Sequence, residues 1–75
     1  MTDRKKSIRR IGANIIETSM SVIEQGIVVI EDGIVLSSYP FTEEEPMTEW
    51  TTGTITIRLD SDGKPRAYKD KQLLK

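Results

Sequence analysis

A tandem heptapeptide limits the folds open to this chain more than any other feature. Val22-Ile23-Glu24-Gln25-Gly26-Ile27-Val28 is followed at once by Val29-Ile30-Glu31-Asp32-Gly33-Ile34-Val35. Each copy reads as the end of a strand, a two-residue turn and the start of the next strand. Asp32-Gly33 between β-branched runs is a strong hairpin signal, because a type I′ turn needs φ > 0 at both central residues. Gln25-Gly26 is a weaker version of the same signal. Two copies do not make a solenoid, which needs three or more units to bury a core. The run Ile27-Val28-Val29-Ile30 is apolar on both faces, so it needs cover on both sides or forms an interface.

A second hairpin is predicted near the C-terminus. Ile55, Ile57 and Leu59 alternate with Thr54, Thr56 and Arg58, the period of a half-buried strand. Asp60-Ser61-Asp62-Gly63-Lys64-Pro65 is dense in turn formers, and Arg66-Ala67-Tyr68 begins the return strand. Between the hairpins, residues 37–51 hold Pro40, Pro46 and Glu43-Glu44-Glu45, which argue for a loop. That loop also carries Tyr39, Phe41 and Trp50, three of the four aromatics in the chain.

Residues 8–24 admit two readings. As a helix, Ile8, Ile11, Ile15, Ile16, Val22 and Ile23 share a broad face, opposite Arg10, Asn14, Glu17, Ser21 and Glu24. As a strand, Ile16, Thr18, Met20 and Val22 face inward. The low helix propensity of Thr18-Ser19-Met20-Ser21-Val22 favours a strand over residues 14–24. The expected fold is therefore mainly β. It is an antiparallel meander or small barrel of four to five strands (14–24, 27–31, 34–39, 52–59 and 65–69), with residues 1–12 as a basic N-terminal arm and 13–75 as one small β-rich domain. The alternative is α+β, one N-terminal helix on a four-stranded antiparallel sheet.

At 75 residues and 36% apolar side chains, such a domain buries only about 60% of the surface its unfolded chain exposes. Scaffolds of this size are usually stapled by disulfides, a metal or oligomerisation. With no Cys and no His, disulfides, thiolate metal sites and the commonest metal ligand are removed, which leaves self-association as the expected staple. The same absences leave only carboxylates, lysines and tyrosines for acid–base work, and no nucleophile-elbow or phosphate-loop spacing is present. The chain is thus expected not to be an enzyme and to use no cofactor. Asp60-Ser61-Asp62-Gly63 echoes a calcium loop but lacks its closing glutamate, and an Asx-turn explains it better.

Charge is segregated although the net value is −1. Residues 1–10 carry Arg4, Lys5, Lys6, Arg9 and Arg10 against Asp3, and residues 64–75 carry Lys64, Arg66, Lys69, Lys71 and Lys75 against Asp70, so each end is +4. Residues 11–57 hold eight acids and no Lys or Arg. Basic ends around an acidic middle suit a neighbouring copy of the chain or nucleic acid. The first expectation is a homo-oligomer that binds a protein partner as an accessory or regulatory subunit, through Tyr39, Phe41, Glu43, Glu44, Glu45 and Trp50. The alternative is a nucleic-acid-binding protein using Arg4, Lys5, Lys6, Arg9, Arg10, Lys64, Arg66, Tyr68 and Lys69. A pI near 5.4 argues against the alternative. No apolar run is long enough to span a membrane, and Asn14, Glu17 and Ser19 interrupt any signal-peptide pattern, so a cytoplasmic protein is expected. No motif is specific enough to indicate a family.

Overall fold

The computed structural model describes residues 8–43 and 47–75. Among the described residues seven strands make up one sheet: β1 (Ile8–Glu17), β2 (Val22–Glu31), β3 (Ile34–Pro40), β4 (Thr48–Trp50), β5 (Thr54–Leu59), β6 (Pro65–Lys69) and β7 (Gln72–Leu74). The order across it is β3-β2-β1-β5-β6-β7, with β4 lying beside β1 ahead of β5. The protein is mainly β as expected, and the described residues contain no helix. The N-terminal helix of the α+β alternative is absent: residues 8–17 form β1, so the second half of the expected basic arm belongs to the sheet. Residues 1–7, with Arg4, Lys5 and Lys6, lie outside the described residues. Among the described residues no helix is long and apolar enough to cross a membrane.

The segment 14–24 is two strands joined by a turn, not one strand. Thr18 explains why. Its hydroxyl accepts the backbone N–H groups of Ser21 at 2.9 Å and Met20 at 3.1 Å, while its own N–H donates to the Ser21 carbonyl at 2.8 Å. A threonine side chain that satisfies two backbone donors reverses the chain without glycine. Asp32-Gly33 turns as expected, with φ of 52° and 81°. Gln25-Gly26 does not turn. β2 runs through it, paired along its length with β1 and from Gly26 onward with β3, and a reversal there would forfeit both ladders. Gln25 keeps the left-handed backbone of its twin, at φ 52°.

That irregularity is part of a crease across the sheet. In β1 the core-facing residues are Ile11 and Ala13, then Ile16; in β2 they are Ile30 and Val28, then Ile23. Alternate residues share a face, so both strands lose one step of alternation at Asn14 and Gln25. Along the other side of β1, Gly12 pairs with Trp50 and Ile15 with Thr54, so the β4–β5 stretch accommodates one extra residue at the same level. These pairings are parallel, which corrects the expectation of an antiparallel sheet.

The crease and strand twist curl the sheet around Ile11, Ala13, Ile16, Val28, Ile30, Val35, Ile55 and Ala67. β3 approaches β6, and Arg66 ties β6 to the β2–β3 turn by donating from Nη1 to the Gly33 carbonyl at 2.9 Å. Arg9 Nη1 donates to the Lys75 carbonyl nearby. The sheet does not close, which corrects the barrel reading. The β5–β6 hairpin forms with its expected alternation, except that Leu59 is 70% exposed instead of buried. β7 adds a strand that residue pattern did not indicate, after a turn at Asp70-Lys71.

Candidate functional site

Residues paired directly across strands point to the same side of a sheet. Tyr39 pairs with Ile27, Ile27 with Gly12, and Gly12 with Trp50, so these four form one row across β3, β2, β1 and β4. The row lies on the face away from the main core, since Val28 and Ile11, their chain neighbours, are core residues.

Gly12 is the seat of this row. A Cβ there would lie 2.2 Å from Cε3 and Cζ3 of Trp50, so the indole rests directly on the backbone of β1. Phe41 meets the indole edge-on, with ring centroids 5.4 Å apart and planes at 64°. Its position is held by the Phe41 N–H, which donates to the Gln25 carbonyl at 2.7 Å. Ile27 is fully buried yet stands outside the core cluster, and this aromatic cover on its side of the sheet accounts for its burial. The doubly apolar run 27–30 therefore has cover on both faces. Trp50 is still 49% exposed, and on the same face Ile8 is also exposed.

The expected partner-binding set thus divides. The structure brings Tyr39, Phe41 and Trp50 to one face. Glu43 is exposed, and Glu44 and Glu45 lie outside the described residues. The neighbouring Glu49 is bound by Arg9, whose Nε and Nη2 reach its two oxygens at 2.9 and 2.7 Å. This fork holds the Glu49 carboxyl below the usual carboxylate range and raises the Arg9 guanidinium.

The described basic residues of the nucleic-acid set do not gather into one free patch. Arg9 is occupied as above. Arg66 donates from Nε to Asp60 Oδ2 at 2.9 Å and from Nη1 to Gly33. Lys69 Nζ lies 3.0 Å from Asp70 Oδ2. Arg10 stands in the row of Val29 and Thr48, next to the aromatic row, and Lys64 is exposed in the β5–β6 turn. Asp60 is the hub of that turn: its Oδ1 accepts the N–H groups of Asp62 at 2.8 Å and Lys64 at 2.9 Å. The Lys64 N–H first, and then Arg66, hold the Asp60 carboxyl at about 2. Here the Asx-turn reading is what the structure displays.

Tyr68 sits elsewhere, opposite Thr56 on β5 and Leu73 on β7. With Thr56, Arg58, Leu59, Asp70 and Lys71 it lines an open cleft of about 510 Å³. Sequence reading missed Arg58 there, and missed Gly12 and Ile27 in the aromatic row. The alternation of 54–59 was the available signal for Arg58, since it places Thr56 and Arg58 on one side. No family model, curated protein or solved structure matches the chain, so its geometry alone carries the functional reading.

Proposed function

We propose that this chain is a non-catalytic, self-associating protein-interaction domain whose docking face is the row of Tyr39 and Trp50 with Phe41. The observation that carries this reading is the half-exposed Trp50 indole, fixed on Gly12 and against Phe41. Rigid aromatics lose little conformational entropy on binding and dominate the energies of many interfaces. An indole already held in place is therefore a suitable anchor. Met47, just before β4, is 85% exposed and adds an apolar side chain at the start of that strand.

The occupant is a second copy of the chain. Residues 11–57 are acidic and residues 64–75 basic, so one copy presents the charge that another lacks. A domain this small also gains most from burying its exposed apolar groups against itself. The non-catalytic part of the reading rests on the sequence, which has no His, the default general base, and no Cys for a thiol nucleophile.

Native mass spectrometry at low micromolar concentration tests the reading. A closed oligomer is expected for the parent, and Met47→Glu, at a position too exposed to disturb the core, is expected to shift it toward monomer. A parent that is monomeric at every concentration overturns self-association. An oligomer indifferent to both Met47→Glu and Trp50→Ala, with unchanged far-UV CD, overturns the choice of face.

A further inference from the structure

The geometry points to a second site: the cleft between β5, β6 and the β6–β7 turn binds a nucleoside phosphate, with its base on Tyr68 and its phosphate on Arg58 and Lys71. Three independent observations converge on these residues.

The first is placement. Thr56 pairs with Tyr68, so hydroxyl and ring stand side by side on the face opposite the buried Ile55, and Arg58 follows two residues on. The turn at 70–71 forms the rim of the same cleft, whose volume of about 510 Å³ falls in the range of small-ligand sites. An aromatic ring beside a guanidinium fork and an ammonium is the combination that stacks a base and grips a phosphate.

The second is how the cations are used. Arg9, Arg66 and Lys69 each hold an acidic side chain of the protein itself. Among the described residues the side chains of Arg58 and Lys71 make no hydrogen bond or ion pair, and neither does the Tyr68 hydroxyl. The acidic group of the lining, Asp70, is neutralised by Lys69 at 3.0 Å. The cleft is therefore a cationic spot on a chain of net charge −1.

The third is backbone strain. Asp70 and Lys71 both have left-handed backbone, at φ 53° and 68°. The turn at 32–33 has the same pair of left-handed residues and uses Asp-Gly. Aspartate tolerates this region and glycine is at ease in it, whereas lysine is not. Lys71 thus occupies a position where glycine would fold better, at the rim of a cleft where its ammonium has no internal partner. A strained residue without a structural role is a pointer to ligand contact.

The test uses the full chain and three probes: adenosine 5′-monophosphate, a fluorescein-labelled ten-nucleotide oligothymidylate, and a ten-residue polyglutamate peptide. Titrations are run by calorimetry and fluorescence anisotropy at low salt. The labelled strand or the mononucleotide is expected to bind. Tyr68→Ala is expected to weaken that binding at least about 5-fold, the lower end of what base stacking contributes. Arg58→Ala and Lys71→Gly are expected to weaken it and to flatten its salt dependence. Lys71→Gly is also expected to raise the urea midpoint, which separates loss of a ligand contact from loss of the fold. Binding of the mononucleotide identifies a free nucleotide as the ligand, and binding of the oligonucleotide alone identifies a single strand. The proposal is overturned if neither nucleotide probe binds, or if Arg58→Ala and Lys71→Gly leave binding intact. It is also overturned if polyglutamate competes as well as the nucleotides, because the site then reads negative charge alone.

Discussion

Gly12→Ala tests whether Trp50 is seated as described. The added Cβ would lie 2.2 Å from two indole carbons, roughly 1.3–1.8 Å inside the ~3.5–4.0 Å at which carbon atoms attract. Backbone of β1 cannot yield, since it is paired on both sides by β2 and β4. Either the indole stays and the site is overpacked, at a cost of ~1–3 kcal/mol, or it swings away and uncovers Ile27. Full burial of such a side chain is worth ~1.5–3 kcal/mol. Alanine recovers ~0.5–1 kcal/mol over glycine inside a strand, so the net loss is about 1–2 kcal/mol. In a Trp50→Ala background the clash is gone, and Gly12→Ala becomes neutral or stabilising by about 0.5–1 kcal/mol. The coupling energy between the two positions is then about 2 kcal/mol, within the range for residues in contact. Urea unfolding followed by far-UV CD, at one fixed protein concentration because the proposed self-association would shift the midpoint, gives all four corners of the cycle. Equal losses from Gly12→Ala in both backgrounds would refute the argument, since the glycine would then be required for something other than the indole.

Asp60→Asn tests the β5–β6 turn. A carboxyl held at about 2 contributes stability that is complete above its unfolded value near 4 and fades as pH falls through about 2. The variant is therefore expected to show a flatter loss of stability between about pH 4 and 2, and an acid limb identical to the parent's is the contrary result. Arg66→Ala removes the link between β6 and the Gly33 carbonyl and the bond to Asp60. It is expected to cost about 1.5–3 kcal/mol and to speed amide exchange in β3, whereas unchanged exchange there would mean that β3 and β6 are held together by packing alone. Ile16→Ala, at a fully buried position, is expected to cost about 2–5 kcal/mol and so to unfold much of a domain this small at 37 °C, visible by CD.

What could be read from residues alone was the local part of the fold. Asp32-Gly33 and the 54–59 and 65–69 strands are specified within a few residues, and both hairpins form. Gln25-Gly26 carries nearly the same local signal and does not turn, because β2 is paired on both flanks and two ladders outweigh one turn preference. Gly26 is used instead for space: a Cβ there would lie 2.8 Å from Ile23 Cγ2. The turn at 18–21 was hidden because a threonine hydroxyl does the work that glycine usually does, and that at 70–71 because it lacks glycine altogether. For the candidate site, Tyr39, Phe41 and Trp50 were legible as a group of aromatics, but not as strand residues: Tyr39 lies in β3 and Trp50 in β4, where a loop was expected over 37–51. Their platform was not, since the pairing of Gly12 with Trp50 is a parallel contact between segments far apart in the chain, which no local periodicity records.

The crease explains why Trp50 is aimed at Gly12 at all, and Asn14 is the residue that holds it. Where β4 gives way to β5, the extra residue leaves Gly53 without a regular ladder partner for its N–H. Asn14 Oδ1 accepts that N–H at 2.8 Å, while the Ile15 N–H donates to the Gly53 carbonyl at 3.1 Å and the Thr51 N–H to the Gly12 carbonyl at 2.8 Å. These three bonds lock β4 and β5 to β1 one residue out of step with each other, so that Trp50 faces outward over Gly12 while Ile55 faces the core. Asn14→Ala removes one of the three and is expected to cost about 0.5–1.5 kcal/mol, a modest change because Asn14 is exposed. Its local effect is larger than its global one. Exchange of the Gly53 and Thr51 amides is expected to accelerate, and Trp50 emission to shift to the red as the indole loosens from its seat. Asn14→Asp keeps the acceptor and is expected to keep both signals. If the alanine variant leaves Trp50 emission and both amides as they were, the two hydrogen bonds to backbone carbonyls suffice to hold the crease, and the side chain at position 14 has no part in aiming the tryptophan.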